Sequence, residues 1–447
     1  MSKGFQFERF KISEGVRMKG KRDEVCNEYH PSLIEQARTA QGKNHNNDEN
    51  DSDDERRQEQ KHIQEVCESF RQHATFARCA RNGHNMRVKR LPESMLSVLP
   101  KALADPESDE YKLRKSIAKN AEIRNQFFFD CMLNSSGVEN SQEFQQEGFQ
   151  FEWSSDDNIS KTFSVLKSAV REWSDEGKRE RCQCNGPLLD AIKKYVPKGS
   201  RICVPGAGLG RLATEICALG YSVQGNEFSF HMLLCSSFVL NSCIKEKQFE
   251  IYPYFQSVGR NSNKFFDIYR KVLIPDVVPH TLLNLDNERS DEEDESVPDF
   301  SMAAGDFVSI YSDESQHRKW GCVSCAFFLD AAPCIAEYLQ TIHNMLEDGG
   351  YLISNGPLHY HWTGPHVRPD DKSWEDFETK HHHLDKRYLA SIDLCWEDVR
   401  SILINIGFDL IEERIGDTAF YTHNDLGFCN TVYQCIFFVA QKKVNDG

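Results

Sequence analysis

The chain has 447 residues, of which 39% are hydrophobic, so it can bury at least one sizeable core. Its formal net charge of -16 argues against a nucleic-acid backbone or an anionic membrane surface as principal partner, because both attract clustered Lys and Arg. The 16 cysteines lie partly in apolar runs, and no signal-peptide or membrane-spanning pattern is visible. We therefore expect reduced thiols in the cytosol, with the nucleus as a second location.

The N-terminal part of the chain divides into two regions. Residues 41–60 are polar, acidic and free of aromatic side chains, which predicts a disordered linker, and we take 1–60 as a disordered, low-complexity segment. Beyond it, apolar residues recur at helical spacing, as at Ile63 and Val66. This periodicity predicts a helical region over 61–180.

From residue 181 to 447, apolar strands alternate with amphipathic helices. Strands are predicted at 201–204, 221–224, 322–329, 351–354, 408–413 and 432–440. Helices are predicted from Pro333 onward and over 396–406. Strands separated by helices indicate an α/β fold with a parallel sheet, and the last two strands are expected to pair antiparallel. An acidic loop at 286–298 and a stretch at 364–388 are predicted to be surface insertions.

A glycine-rich turn joins the first strand of this region to a helix. Gly206, Gly208 and Gly210 stand at alternate positions in the sequence VPGAGLGR. Glycine lets the backbone come close to a ligand, and the helix that follows offers free N–H groups at its N-terminus. The turn predicts a cofactor site, although a dinucleotide or a purely structural loop would use similar residues.

Glu227 stands twenty-one residues after Gly206, at the end of the second strand. A carboxylate in that position can accept hydrogen bonds from both hydroxyls of a ribose. Any ligand that contains adenosine would satisfy this pattern, and a solvated surface Glu is the alternative interpretation. Glu227 therefore indicates an adenosine ligand without naming it.

Two later motifs separate the possible cofactors. Asp306 follows a strand and can accept from an adenine amino group, with Phe307 beside it as a stacking ring. The Gly349-Gly350 turn before the next strand resembles a turn of class I methyltransferases, and alternate glycines suit that class better than the dinucleotide spacing. The motifs together predict a Rossmann-like, S-adenosylmethionine-dependent methyltransferase. The resemblance to class I methyltransferases implies a seven-stranded, mostly parallel sheet with an antiparallel terminal hairpin.

Longer motifs resemble one family in particular. They are VREWSDEGK (170–178), VPGAGLGRLA (204–213), GNEFSFHML (225–233), FFLDAA (327–332) and GPLHYH (356–361). With the Asn-Asp-Leu sequence at 424–426, these motifs resemble the carnosine N-methyltransferase family, and the similarity covers about residues 61 to 441. The 41–60 linker and the 364–388 insertion are not part of the pattern.

The resemblance implies roles for individual residues. Positions that contact S-adenosylmethionine in the family correspond to Ser168, Arg171, Gly206, Gly208, Glu227, Asp306, Phe307 and Cys322. The family has a Gln where this chain has Ser168, so one cofactor contact can be lost there. Positions that contact the histidine-containing dipeptide correspond to Asp330, His361 and Tyr433. The resemblance also implies methylation of the imidazole N-π, which converts carnosine to anserine and S-adenosylhomocysteine, and a homodimer.

The chemistry requires a neutral imidazole with the correct tautomer, aligned with the methyl carbon. Asp330 is expected either to accept from one ring N–H or to anchor the substrate ammonium, His361 to accept a proton after transfer, and Tyr433 to complete the pocket. Each residue also has a structural interpretation. Asp330 can cap a helix, His361 can be a core histidine, and Tyr433 can simply pack on a strand.

Other functions are compatible with parts of this pattern. A protein-histidine methyltransferase would keep the fold and change the substrate. An NAD(P)-dependent oxidoreductase conflicts with the glycine spacing, and a binding module without activity conflicts with the intact set of candidate residues. No metal is expected, because Cys322 and Cys325 lie on a strand where a spacing of three points them to opposite faces.

Overall fold

A computed structural model describes residues 10–11, 49–137, 153–255, 262–283, 298–361, 364–384, 386–389 and 391–444. The strands are β1 (Phe10–Lys11), β2 (Arg201–Pro205), β3 (Ser222–Glu227), β4 (Phe249–Ile251), β5 (Val272–Ile274), β6 (Phe300–Ala304), β7 (Trp320–Ala326), β8 (Leu346–Gly356), β9 (Phe408–Tyr421) and β10 (Thr431–Lys442).

Short and long helices alternate with these strands. They are α1 (Glu49–Arg71), α2 (His73–Lys89), α3 (Glu93–Leu96), α4 (Lys101–Ala104), α5 (Asp109–Ser136), α6 (Asp156–Trp173), α7 (Lys178–Cys184), α8 (Gly186–Tyr195), α9 (Arg211–Ala218), α10 (Phe230–Ser242), α11 (Phe265–Ile268), α12 (Pro279–Leu282), α13 (Phe307–Tyr311), α14 (Ile335–Met345), α15 (Trp374–Lys380), α16 (Lys386–Leu389) and α17 (Trp396–Ile406). Two 3₁₀ turns lie at Glu314–Gln316 and Leu329–Ala331.

The main sheet has the strand order β1-β6-β3-β2-β7-β8-β10-β9. Strands β6, β3, β2, β7 and β8 are parallel, while β10 pairs antiparallel with both β8 and β9. The expected parallel sheet with an antiparallel terminal hairpin is confirmed. The short strand β1 is an addition that the sequence did not predict, and it pairs antiparallel with the edge strand β6. The parallel arrangement brings the carboxyl ends of five strands to one edge, where the candidate residues lie.

Helices cover both faces of the sheet. On one face, apolar side chains of α8, α9 and α10 pack with the buried residues of β2 and β3. On the other face, α14 and α17 pack against β7, β8 and β10. Strands buried on both sides must be apolar at nearly every position, which is the pattern found in β2 and β7.

The N-terminal helices belong to the same core as the sheet. The ring of Phe128 on α5 meets that of Phe238 on α10 edge-on, with centroids 5.6 Å apart. Helix α6 continues this core through Leu166 and Trp173, both fully buried. Its C-terminal end therefore reaches the sheet edge, and the helical region contributes directly to the candidate site.

Part of the expected disordered N-terminal segment is helical, so that prediction is corrected. Helix α1 begins at Glu49 and includes residues 49–60. Val66 and Phe70 anchor its later turns in the core. Residues 1–9 and 12–48 lie outside the described residues.

The two expected insertions have different outcomes. The acidic loop lies almost entirely outside the described residues. Most of the 364–388 stretch is described, and it is only partly a surface feature, because Phe377 on α15 is buried and Arg387 on α16 reaches Asp306.

Within the described part of the chain, no helix is long and apolar enough to cross a bilayer.

Candidate active site

The glycine-rich turn follows β2 and adopts a backbone that favours glycine. Gly206 and Gly208 have φ angles of 63° and 58°. A Cβ at Gly206 would lie 2.8 Å from the Phe328 ring, and one at Gly208 would lie 2.6 Å from Glu172 Oε1. Conformation and space therefore both require glycine at these two positions.

Glu227, at the end of β3, is held against this turn. Its Oε2 accepts from Gly208 N at 3.0 Å, and its Oε1 accepts from Phe228 N at 2.9 Å and Ser229 N at 2.8 Å. Burial raises the pKa of Glu227, and the hydrogen bonds it accepts oppose that shift. The solvated-surface interpretation is therefore wrong, because Glu227 is fixed beside the turn.

A cavity of about 120 Å³ opens next to the turn. Its walls include Arg171 and Glu172 from α6, Gly206, and the aromatic rings of Phe327 and Tyr421. The guanidinium of Arg171 lies 5.1 Å from the Tyr421 ring centroid, and its Nη2 donates to Glu172 Oε1 at 3.0 Å. The structure thus brings Arg171 and the glycine turn together at the end of the sheet.

Ser168 lies one helical turn before Arg171 on α6 and is buried. It is not among the described residues that line the cavity. Its hydroxyl is shorter than the Gln side chain that the family resemblance expects there. The predicted cofactor contact of Ser168 stays a prediction.

Asp306 and Phe307 lie at the start of α13, beside the same turn. Asp306 caps the helix, and its Oδ1 accepts from Ser309 N at 2.9 Å, Ser309 Oγ at 2.8 Å and Arg387 Nη1 at 2.9 Å. The preceding Gly305 N donates to Glu227 O at 2.9 Å, which ties Asp306 to the end of β3. The ring of Phe307 meets Phe328 edge-on at 5.2 Å.

Cys322 is not brought to this edge. It is the third residue of β7, fully buried, and it pairs in register with Ile202 and Tyr351. The strand continues to Ala326, so Cys322 lies about 13 Å below the carboxyl end at the usual rise per residue. Burial also raises the pKa of its thiol. Nothing in this position supports the predicted cofactor contact of Cys322.

Asp330 occupies the 3₁₀ turn after β7 and is only 1% exposed. Its Oδ2 accepts from His359 N at 3.2 Å, whereas its Oδ1 is buried and has no hydrogen-bond partner among the described residues. Burial raises the pKa of Asp330, and nearby His361 opposes that shift. The helix-cap interpretation is wrong, because α14 begins at Ile335 and Cys334 occupies its cap position.

Asp330 is joined by His361, in the segment that follows β8, and by Tyr433, on β10. The main-chain oxygen of Asp330 accepts from His361 N at 3.0 Å, and the His361 ring is exposed rather than in the core. The ring of His359 lies 6.0 Å from that of His361 and 5.8 Å from that of Tyr433. Tyr433 in turn lies 5.9 Å from Phe327, a wall of the cavity. The three predicted substrate residues therefore form one cluster beside the cavity.

Comparison with known proteins agrees with this geometry. A family model described as carnosine N-methyltransferase matches residues 149–444. The chain belongs to the carnosine N-methyltransferase family. A mouse protein named carnosine N-methyltransferase is 34% identical over 392 residues, covering 86% of this chain and 87% of its own. A protein of the same name from Schizosaccharomyces pombe is 35% identical over 270 residues, covering 59% of this chain and 66% of its own. The chain is thus a methyltransferase.

Solved structures are more distant from this family member. A TehB-like SAM-dependent methyltransferase from Corynebacterium glutamicum covers 57% of this chain and 88% of its own. Its identity is 11% and its TM-score is 0.29. The fold assignment therefore rests on the strand order described above and on membership of the family.

Several residues of the site were not predicted from the sequence. Glu172, Phe327 and His359 lie inside the motifs that carry the family resemblance, so their position in those motifs was an available signal. Tyr421 and Arg387 had no such signal, because one ends a long strand and the other lies in the 364–388 insertion. Phe327 has a φ of 51°, which is uncommon for a bulky residue and places its ring between cavity and cluster.

No group of three or more His, Cys, Asp or Glu side chains in the described ranges could hold a metal ion. Cys203, Cys322 and Cys325 are all buried in the sheet, and burial raises the pKa of each thiol. These cysteines lie in the apolar core and do not form part of the site.

Proposed function

We propose that the protein transfers the methyl group of S-adenosylmethionine to the N-π of the imidazole in carnosine, giving anserine and S-adenosylhomocysteine. The observation that carries the proposal is the Oδ1 of Asp330, which is buried, has no hydrogen-bond partner among the described residues, and lies in the cluster with His361 and Tyr433. A buried polar atom without a partner is costly, so it is expected where a ligand supplies the missing donor.

The residues at the sheet edge fit the proposed cofactor. Gly206 and Gly208 keep the turn open where a Cβ would collide with its neighbours. Glu227 would hold the ribose, Asp306 the adenine amino group, and Arg171 the carboxylate of the methionine tail. When bound, S-adenosylmethionine supplies a methyl carbon activated by the attached sulfonium.

Asp330 acts on the acceptor. Its free Oδ1 accepts the N–H of one imidazole nitrogen, and this hydrogen bond selects the tautomer whose other nitrogen carries the reactive lone pair. Alignment of that lone pair is the main contribution the protein can make, because a neutral imidazole is already a nucleophile at pH 7. The carboxylate also stabilises the positive charge that develops on the ring.

His361 and Tyr433 complete this acceptor site. Tyr433 is partly buried and contributes a ring wall, and burial, Tyr421 and Asp330 raise the pKa of its phenol, which keeps it neutral. His361 is exposed at the mouth of the site, where it can accept the N–H proton that the methylated ring releases and pass it to water.

The test is to incubate the purified protein with S-adenosylmethionine and carnosine and to follow the products by mass spectrometry. Formation of anserine with S-adenosylhomocysteine, identified against the isomer methylated on the other nitrogen, is the expected result. A parallel panel contains other histidine dipeptides and histidine-containing proteins. Methylation of a protein histidine without methylation of carnosine would overturn the proposed substrate while keeping the methyltransferase.

We also propose that the protein is a homodimer of the cytosol, with the nucleus as a second location. Exposed apolar side chains gather on the N-terminal helical region, at Met86, Met95, Val98 and Leu113, and they can be covered by a second copy. None of the cysteines of the described residues is in a disulfide, which suits a reducing compartment. Light scattering on the purified chain should give twice the 51.5 kDa monomer mass, and a monomer would contradict the dimer.

A further inference from the structure

Glu172 is a buried carboxylate in the cofactor cavity for which the proposed reaction has no role. It is 7% exposed, and its side chain lines the cavity at the end of α6. Its Oε2 accepts from Leu209 N at 2.9 Å, within the glycine-rich turn, and its Oε1 accepts from Arg171 Nη2 at 3.0 Å. Glu172 therefore joins the turn to Arg171.

The charges on the cavity wall show what kind of ligand it suits. Among the described residues, the other charged groups on the wall are Arg181 and Glu180. Arg181 Nη2 donates to Asp276 Oδ2 at 2.7 Å, and the two oxygens of Glu180 accept from the backbone N–H groups of Thr422 and His423 at 2.9 and 3.0 Å. The strand end beside the turn contributes Val204 and Pro205, which carry no charge. Among the described lining groups, Arg171 and Glu172 are therefore the two whose charges are paired with each other.

A ligand with one positive and one negative group can replace the Arg171–Glu172 pair without leaving either charge unpaired. Burying a charge is costly unless it is paired and hydrogen-bonded. A zwitterionic α-amino acid end meets this condition when its carboxylate faces Arg171 and its ammonium faces Glu172. A carboxylate alone, or an ammonium alone, would leave one protein charge uncompensated.

We propose that Glu172 binds the α-ammonium of the methionine tail of the cofactor. This inference rests on the proposed function, since it deepens the recognition of S-adenosylmethionine at the same site. The close approach of Glu172 Oε1 to the Cβ-free Gly208, 2.6 Å from where a Cβ would be, places the carboxylate directly against the turn. The same residue thus shapes the turn and recognises the ligand that the turn holds.

The test measures binding by calorimetry with two ligands that differ in one group. The first is S-adenosylhomocysteine, and the second is S-adenosylhomocysteine without its amino group. The wild-type protein should bind the first at least about tenfold more tightly, because a charge-assisted hydrogen bond in a buried site is lost with the second. In Glu172→Gln, this preference should fall to within about twofold.

Glu180→Gln is the matched control, because Glu180 lines the same cavity but has both oxygens bound to the backbone. It should keep the preference for the ligand with the amino group. A Glu172→Gln variant that weakens both ligands equally would overturn the inference and leave Glu172 a structural residue.

If that variant does not fold, the two affinities of the wild-type protein still test the inference, because equal affinity for both ligands would overturn it. Failure of the wild-type protein to bind S-adenosylhomocysteine at all would instead overturn the proposed function, and this inference with it.

Discussion

The cofactor side and the acceptor side of the active site differ in how their carboxylates are satisfied. On the cofactor side, Glu227 accepts from three backbone N–H groups, and Asp306 Oδ1 accepts from three donors. On the acceptor side, Asp330 accepts one backbone N–H through Oδ2 and leaves Oδ1 buried without a described partner. The first half is preorganised before any ligand binds, whereas the second, in the function proposed above, is completed by its substrate.

The contrast follows from the chemistry of each ligand. A cofactor that must be held in one orientation is best met by groups that are already fixed, since fixing them on binding would cost affinity. An acceptor ring must be oriented in the transition state, and an unsatisfied carboxylate does this by gaining its missing hydrogen bond when the ring arrives. Variants should therefore affect the two halves separately.

The largest effect is expected from Asp330→Asn. The amide removes the charge that selects the imidazole tautomer and stabilises the developing cation, so kcat should fall by about 10²–10⁴-fold. The affinity for S-adenosylhomocysteine should stay within about twofold of the wild-type value. Steady-state kinetics with carnosine and calorimetry with S-adenosylhomocysteine measure the two quantities. An equal loss of turnover and of cofactor affinity would remove the distinction between the two halves.

Gly208→Ala should weaken cofactor binding, which Asp330→Asn leaves unchanged. The new Cβ needs a left-handed backbone and collides with Glu172 Oε1, so we expect the affinity for S-adenosylhomocysteine to fall by at least about tenfold. Gly199→Ala is the matched control, because Gly199 has a φ of 78° but nothing within 4 Å of the added Cβ. If both variants bind S-adenosylhomocysteine equally well, the collision in the turn does not matter for binding.

A smaller effect concerns stability. Because burial raises the pKa of Asp330, its ionised form destabilises the folded state, and this cost grows as pH rises through the raised pKa. Asp330→Asn should therefore raise the free energy of unfolding by about 1 kcal/mol at pH 7.5. The gain should shrink as the pH falls and the native carboxyl takes up a proton. Urea unfolding over a series of pH values from 7.5 downward tests this, and a variant less stable than wild type at pH 7.5 would contradict it.

The smallest effect is expected from Arg387→Gln. Arg387 and Ser309 hold Asp306 through the same oxygen, so loss of the ion pair should loosen the adenine end of the site. The pair is partly exposed, and we expect the affinity for S-adenosylhomocysteine to fall about three- to fivefold. Arg368→Gln, on an exposed part of the same insertion, should bind normally. Equal affinities of the two variants would mean that the insertion does not support the cofactor site.

The sequence by itself determined the alternation of strands and helices, the glycine-rich turn and the acidic residue after the second strand. These features are local, since a left-handed backbone at Gly206 and Gly208 depends on the residue that occupies the position. Glu227 was predictable for the same reason, because strand length and the end of the strand place it. Asp330, His361 and Tyr433 came from the family resemblance, and only the fold shows them side by side.

The tertiary structure decided which of these groups are paired and which are free. Glu172 meets Leu209 across 37 residues of chain, and Arg387 meets Asp306 across 81. Such contacts depend on how α6 and the insertion pack against the sheet, and a pattern of neighbouring residues does not contain that information. Asp330 Oδ1, which has no partner among the described residues, likewise depends on burial and on the groups around it, which only the packed structure specifies.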